Sequence, residues 1–538
     1  MKIKGLNLLR NLLIINIVIF IHSNIYSQSN LYKVQEQKII MSLGQIYNRY
    51  VDTVNVESIV EAGIIAMLKE LDPHSVYLSA EELKKANEPL EGSFTGIGVE
   101  FNIMKDTIMV ISAITGGPSE KLGILPGDKI VKIDGEDATG KKVTNSYVMK
   151  KLRGPKGTKV VVSIYRKGYK NLIDFEIIRD KIPIYSIDAS YMAAPKVGYI
   201  KLSRFAESSI EEFDKALTEL KNKGMENLIL DLRYNSGGYL NIAVSLADEF
   251  LSDNKMIVYT EGKSSPRTNY MATKKGNFEK GKLVVLINEG SASASEIVAG
   301  AIQDWDRGIL IGRRSFGKGL VQTPVRLNDG SAIRLTTARY YTPTGRFIQK
   351  PYNEGVDQYN TELDKRYKKG ELIHPDSIHF PDSLKYLTAG KRTVYGGGGI
   401  MPDIFIPLDT SGNSKYFTDL IRKSIIYQFA LNYVNNNRDS LLALYRNVDN
   451  YIKTCQPDDN FMKQFFIYSE SNGVSKDIEG YKSSEKYIIT QLKSYIARHL
   501  WDNSSFYQVF NTTDEGFLKA LEVIQDNSLF KKLKIEYK

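Results

Sequence analysis

Leu283-Val-Val-Leu-Ile-Asn-Glu-Gly-Ser-Ala-Ser-Ala-Ser-Glu-Ile-Val-Ala-Gly300 decides the fold class. Leu283–Asn288, with its run of aliphatic residues, reads as a buried strand. Small residues then turn the chain, and an apolar helical pattern runs from about Ser293 to Trp305. A hydroxyl in such a turn stands at a helix N-terminus. Free backbone N–H groups and the helix dipole can stabilise a developing oxyanion there. The same residues admit a second reading, because Ser293 and Glu296 also have the spacing of a capping box. The segment alone does not choose among Ser291, Ser293 and Ser295.

Outward from this turn, strands and helices alternate from Ile184 to about Leu408, which argues for an α/β sheet layered with helices. Val197–Leu202 is a strand and Ile210–Lys223 a helix. Asn227–Leu232 is a strand that runs into Asp231-Leu-Arg-Tyr-Asn-Ser-Gly-Gly238 and a helix from Ile242 to Leu251. Gly237 or Gly238 is a candidate oxyanion donor, or the pair is a plain tight turn. The strand 309–311 leads to Ser315-Phe-Gly-Lys-Gly-Leu-Val-Gln322.

A serine needs a base to become a nucleophile. The chain has five histidines: His22 lies in a leader-like segment, His74 and His499 lie outside the α/β stretch, and His374 and His379 lie in a polar insertion within it rather than in its strands and helices. A lysine serves where burial and neighbours depress its pKa. Lys318, between two glycines, is the candidate, against the ordinary fate of a lysine as a solvated surface residue. If Lys318 opens an extended segment, Gln322 points to the same side.

The remaining segments give a multidomain α+β chain. Residues 1–27 have a basic start, a short apolar core and small polar residues, the pattern of a signal peptide; a retained membrane anchor is the alternative. Residues 28–91 read as helical, broken at Leu71-Asp-Pro-His-Ser-Val-Tyr-Leu78. Residues 92–180 change to period two with Gly and Pro turns and one helix near 144–152, a small β-rich domain. The α/β core spans 181–410, with a polar, aromatic insertion at 351–398, and 411–538 reads as mainly helical.

Composition narrows the function. The single cysteine, Cys455, excludes an internal disulfide and a cysteine-rich metal site. The net charge of +10 comes from basic residues interleaved with acidic ones, which fits a solvated surface rather than a nucleic-acid groove. No metal and no cofactor are expected.

Several motifs resemble, in order, those of the carboxyl-terminal processing (tail-specific) serine proteases. They are Leu71–Leu78, Phe94-Thr-Gly-Ile-Gly-Val-Glu-Phe101, Gly117–Asp128, Leu152-Arg-Gly-Pro-Lys-Gly-Thr158, Leu230–Gly238, the serine turn, Phe316-Gly-Lys-Gly319, Tyr340–Arg346 and Gly399–Asp403. The resemblance spans roughly residues 35–408. It implies a PDZ-like domain inserted between the N-terminal helical region and a crotonase/Clp-like serine protease core. By position it assigns the nucleophile to Ser293, the base to Lys318 and the orienting partner to Gln322. The oxyanion donors fall on the backbone of Ala294 and of Gly237 or Gly238. Tyr234-Asn-Ser-Gly-Gly departs from the family's more usual Asn-Asn-Pro-Gly-Gly.

The β-rich domain would bind a peptide as an added strand and capture its carboxylate in Gly96-Ile97-Gly98-Val99. If the loop is displaced, Ile97 and Val99 are instead plain strand core. Expected partners are protein or peptide substrates with accessible C-terminal tails, in the periplasm or cell envelope. The C-terminal helices are a packed domain, an oligomer contact or an adaptor site. Two other readings compete: a catalytically silent PDZ-containing envelope scaffold, and a crotonase-like acyl-thioester enzyme.

Overall fold

The computed structural model describes residues 30–104 and 106–537; the leader-like residues 1–27 lie outside them. The chain divides into two units, one ending at Leu71 and the other beginning at Asp72. In the first, a helix covers 30–49 and a second covers Val56–Lys69, capped by the Asn55 side chain on the Ser58 N–H. Among the described residues no helix is long and apolar enough to cross a membrane.

The second unit is built on a six-stranded sheet in the order Ile187–Ala194, Val197–Leu202, Asn227–Asp231, Leu283–Ile287, Ile309–Gly312, Ile404–Phe405. Only the first pair is antiparallel. Its strands are aliphatic on both sides because both faces are covered. Leu228, Leu230, Val285 and Leu310 pack with helices Ser209–Asn222, Leu240–Asp248 and Ala294–Asp304 on one face. Ile229, Val284, Leu286 and Ile311 pack with Phe517, Ala520, Ile524 and Phe530 on the other. The last two helices of the chain, Glu515–Gln525 and Asn527–Lys532, therefore complete the core's second layer. Helices between Lys415 and Phe510 form a hydrophobic cluster of their own.

A second, antiparallel sheet combines Val76–Leu78, Met256–Gly262, Ser265–Met271, Leu320–Arg326 and Ala332–Tyr341. The β-rich domain is a third body with its own core of Ile108, Val110, Ile130, Val148, Val162 and neighbours. Its entry and exit strands, Ser93–Gly96 and Asp180–Pro183, pair antiparallel, so the domain leaves and rejoins the chain at one ribbon. Leu431, on helix Ile425–Leu444, packs on Met109 and Ile111, and Arg498 pairs with Glu100 at 3.1 Å.

Candidate active site

The serine turn joins strand Leu283–Ile287 to helix Ala294–Asp304 through a strained residue: Ser293 has φ 55° and ψ −111°. Such a conformation persists only where its surroundings enforce it. The three serines of the turn have different surroundings. Ser291, fully buried, donates its hydroxyl proton to the Leu232 carbonyl at 2.8 Å. Ser295, also fully buried, donates to the Asn235 carbonyl at 2.8 Å. Both tie the turn to the Asp231–Gly238 loop. Ser293 is only half-buried, and its backbone supplies the bonds of the turn: its N–H donates to Glu296 Oε2 at 2.8 Å and its carbonyl accepts from the Glu296 N–H at 2.8 Å.

Glu296 does more than cap. Its fully buried carboxylate also accepts from the Lys318 N–H at 2.8 Å, the Gly317 N–H at 2.7 Å and the Ser315 hydroxyl at 2.5 Å. One carboxylate thus binds the serine turn to the lysine loop. Burial pushes its pKa up, and the four donors oppose that shift. A second clamp is the buried Tyr340 hydroxyl, 3.1 Å from the Ser293 carbonyl oxygen and 2.5 Å from that of Lys318. From the 351–398 insertion, Arg366 donates to the carbonyls of Ser315 at 2.8 Å and Phe316 at 3.1 Å.

The Lys318 side chain is half-buried, and among the described residues its amine has neither a hydrogen bond nor a carboxylate within ion-pair distance. Desolvation, then the Arg334 guanidinium, hold its pKa below the ordinary lysine value; Glu296 and Asp72 oppose. His74, which the sequence left outside the core, folds within electrostatic reach of Lys318. Burial first, then the lysine charge, push its pKa down to about 4. Its Nε2 meets the Tyr359 hydroxyl at 2.8 Å.

Gln322 is held by another route than simple alternation. The strand starts at Leu320, and a bulge separates Val321 from Gln322. Buried Asp72 accepts the Thr336 hydroxyl proton at 3.0 Å, which leaves the Thr336 oxygen to accept from Gln322 Nε2 at 3.3 Å. The Gln322 amide is thereby oriented, with its carbonyl oxygen left over. Asp72 and Thr336 were missed as site residues from sequence; the only signal was an acid in the quoted Leu71–Leu78 motif.

The glycine loop lies directly against the serine turn. Gly237 has φ +105°, and a Cβ there would sit 2.9 Å from Ser293 Cβ and 3.1 Å from the Ala294 nitrogen. Its N–H is engaged by Asn235 Oδ1 at 2.9 Å. The N–H groups of Gly238 and Ala294 make no hydrogen bond among the described residues. In the β-rich domain, Ile97 is core, with its carbonyl accepting from Ser119, while the N–H groups of Ile97 and Gly98 are likewise unengaged. Val99 is half-buried and opens the strand Val99–Met104, and Gly96 closes the preceding one.

Residues 196–358 match Peptidase family S41, residues 95–177 match the PDZ domain, and residues 416–502 match a family of unknown function. The chain is 39% identical over 321 residues to the carboxy-terminal-processing protease of Bartonella bacilliformis, covering 58% of this chain and 73% of that one. It is 35% identical to carboxy-terminal processing protease CtpA of Bacillus subtilis, covering 62% and 73%. The chain belongs to the carboxy-terminal processing proteases. As a member of that family it is a serine endopeptidase with an embedded PDZ domain. The silent-scaffold and acyl-thioester readings therefore fall away.

Proposed function

We propose that Ser293 is the nucleophile, Lys318 its general base, and Gln322 the residue that orients the lysine amine through its free carbonyl oxygen. The observation that carries this is the Glu296 clamp. It fixes Ser293 and Lys318 by their own N–H groups, while the neighbouring serines are spent on loop contacts. Neutral Lys318 takes the Ser293 proton, and Ser293 Oγ attacks the peptide carbonyl. The amides of Ala294 and Gly238, unengaged by the protein, receive the oxyanion. The lysine returns the proton to the leaving amine. Water, deprotonated by the same lysine, then releases the acyl group and restores Ser293.

Substrate enters by its tail: the unengaged N–H groups of Ile97 and Gly98 bind the terminal carboxylate, and the peptide adds as a strand beside Val99–Met104. The basic, apolar and small-residue pattern of residues 1–27 supports export to the cell envelope. The test is cleavage of an unstructured peptide with a free apolar C-terminus. Wild type cuts it, an amidated C-terminus slows cutting, and Ser293→Ala abolishes it with unchanged circular dichroism. Turnover by Ser293→Ala at the wild-type rate would sink the assignment.

A further inference from the structure

Tyr359 belongs to the polar 351–398 insertion, on the short helix Val356–Asn360, yet it is only 4% exposed. Its ring and its hydroxyl meet two different parts of the site.

The ring meets the lysine loop. The Lys350 amine sits between the Phe316 and Tyr359 rings, 4.0 Å and 4.1 Å from their centroids, and donates to the Tyr359 carbonyl at 3.3 Å. An ammonium between two aromatic faces is attracted to both. Lys350 and Gln349 in turn hold the residues on either side of Lys318. The Lys350 N–H donates to the Gly317 carbonyl at 2.9 Å, and the Gln349 side-chain oxygen accepts from the Gly319 N–H at 2.8 Å.

The hydroxyl meets the Asp72 turn. It lies 2.8 Å from His74 Nε2, and the two rings stand edge to face with centroids 5.2 Å apart. Gln349 Nε2 also lies 3.4 Å from this hydroxyl, but its shorter bond goes to the Lys350 carbonyl at 2.9 Å, so His74 is the hydroxyl's main partner. The His74 N–H donates to Asp72 Oδ1 at 2.8 Å. The same oxygen takes the Thr336 hydroxyl that receives the Gln322 amide. Packing alone would be served here by a phenyl ring, and a buried hydroxyl is costly unless it is bonded. This one is bonded, and to the segment that orients Gln322.

We infer that Tyr359 is a positioning residue of the peptidase. Its hydroxyl, through His74, keeps the Asp72 turn and the Gln322 amide in register with the loop that carries Lys318. The inference rests on the proposed roles of Lys318 and Gln322. It gives the insertion a task in the site beyond the Arg366 bonds to the Ser315 and Phe316 carbonyls.

Tyr359→Phe keeps the ring on Lys350 and removes only the hydroxyl. In the full chain, on a fluorogenic unstructured peptide, kcat should fall about tenfold, the effect of one buried hydrogen bond, with KM within about twofold of wild type. Gln322→Ala should lower kcat by itself, and adding Tyr359→Phe to it should cost less than about a further twofold, because the hydroxyl acts through Gln322. His74 gives a second route to the same bond if Tyr359→Phe folds poorly. His74→Gln keeps a hydrogen-bonding atom where Nε2 stood and should retain most of kcat, whereas His74→Leu should lose as much as Tyr359→Phe. Wild-type kcat in a folded Tyr359→Phe, an undiminished loss in the Gln322→Ala background, or equal kcat in the two His74 variants overturns the inference. Wild-type kcat in Gln322→Ala alone overturns the assignment of Gln322, and the inference with it.

Discussion

Glu296→Gln tests whether one carboxylate sets the register of the two loops that carry Ser293 and Lys318. The wild-type carboxylate accepts four hydrogen bonds, two on each oxygen. A glutamine amide has one oxygen and one NH₂, so one pair of donors must face donors. If the NH₂ replaces Oε2, the N–H groups of Ser293 and Lys318 are both orphaned. If it replaces Oε1, the Ser315 oxygen, which already accepts from the Ile400 N–H, can take a second donor, so the Gly317 N–H is orphaned and the Ser315 proton must turn to another acceptor. The second arrangement is cheaper and sets the magnitude: about 1–3 kcal/mol for one buried unsatisfied N–H. The surviving bonds also weaken, because their acceptor is neutral, while loss of a buried charge offsets part of that. The lysine loop then moves away from the turn, and a displacement of about 1 Å between reacting groups costs on the order of 10²-fold in rate. The assays are denaturant unfolding and kcat/KM on a fluorogenic peptide. A variant within twofold of wild type in kcat/KM, with an unchanged unfolding midpoint, would refute the register argument.

Other substitutions probe separate links. Because desolvation holds the folded-state pKa of Lys318 below its ordinary 10.5, the unfolded chain keeps more protons between those two values, and this residue's contribution to stability rises with pH there. The kcat/KM profile should climb with an apparent pKa below 10.5, and Lys318→Met should lose activity on the order of 10³-fold while flattening the stability slope; an unchanged slope would contradict the desolvation. Gly237→Ala forces a methyl against Ser293 Cβ at positive φ, with an expected loss of about 1–3 kcal/mol and a fall in kcat larger than any rise in KM; wild-type kinetics would mean the loop is not packed as described. Asp514 caps helix Glu515–Gln525 through the Phe517 N–H and binds Arg233, so Asp514→Ala should destabilise by about 1–3 kcal/mol. A change under about 0.3 kcal/mol would detach the last helices from the stability of the core.

The strand–turn–helix units were legible because their signals are local. An aliphatic run, a cluster of small residues and an apolar helical period lie within 18 residues of one another at 283–300. The choice among three serines was not local, since it depends on where the carbonyls of Leu232 and Asn235 fall, more than 50 residues away in sequence. The Ser293–Glu296 spacing was read as either cap or catalytic turn. The structure makes Glu296 cap the turn and bind the lysine loop at once, so capping does not exclude the proposed catalytic role of the turn. Gln322 was reached by counting alternation from Lys318, yet the strand begins at Leu320 and a bulge intervenes. What orients its amide is the Asp72–Thr336 relay, whose two members lie 264 residues apart in sequence.

The arrangement also carries an electrostatic tension. In its proposed role as base, Lys318 must give up its charge near neutral pH, yet the residue that fixes its backbone is a buried acid, whose negative charge favours the ammonium. Four donors on the Glu296 carboxylate spread that charge toward the backbone, and Arg334 pushes the lysine the opposite way. The acid can therefore serve as a geometric clamp while desolvation still outweighs its pull on Lys318. A carboxylate with fewer donors at the same position would hold the loop less firmly and stabilise the wrong protonation state of the base, so the clamp and the lowered lysine pKa depend on the same hydrogen bonds.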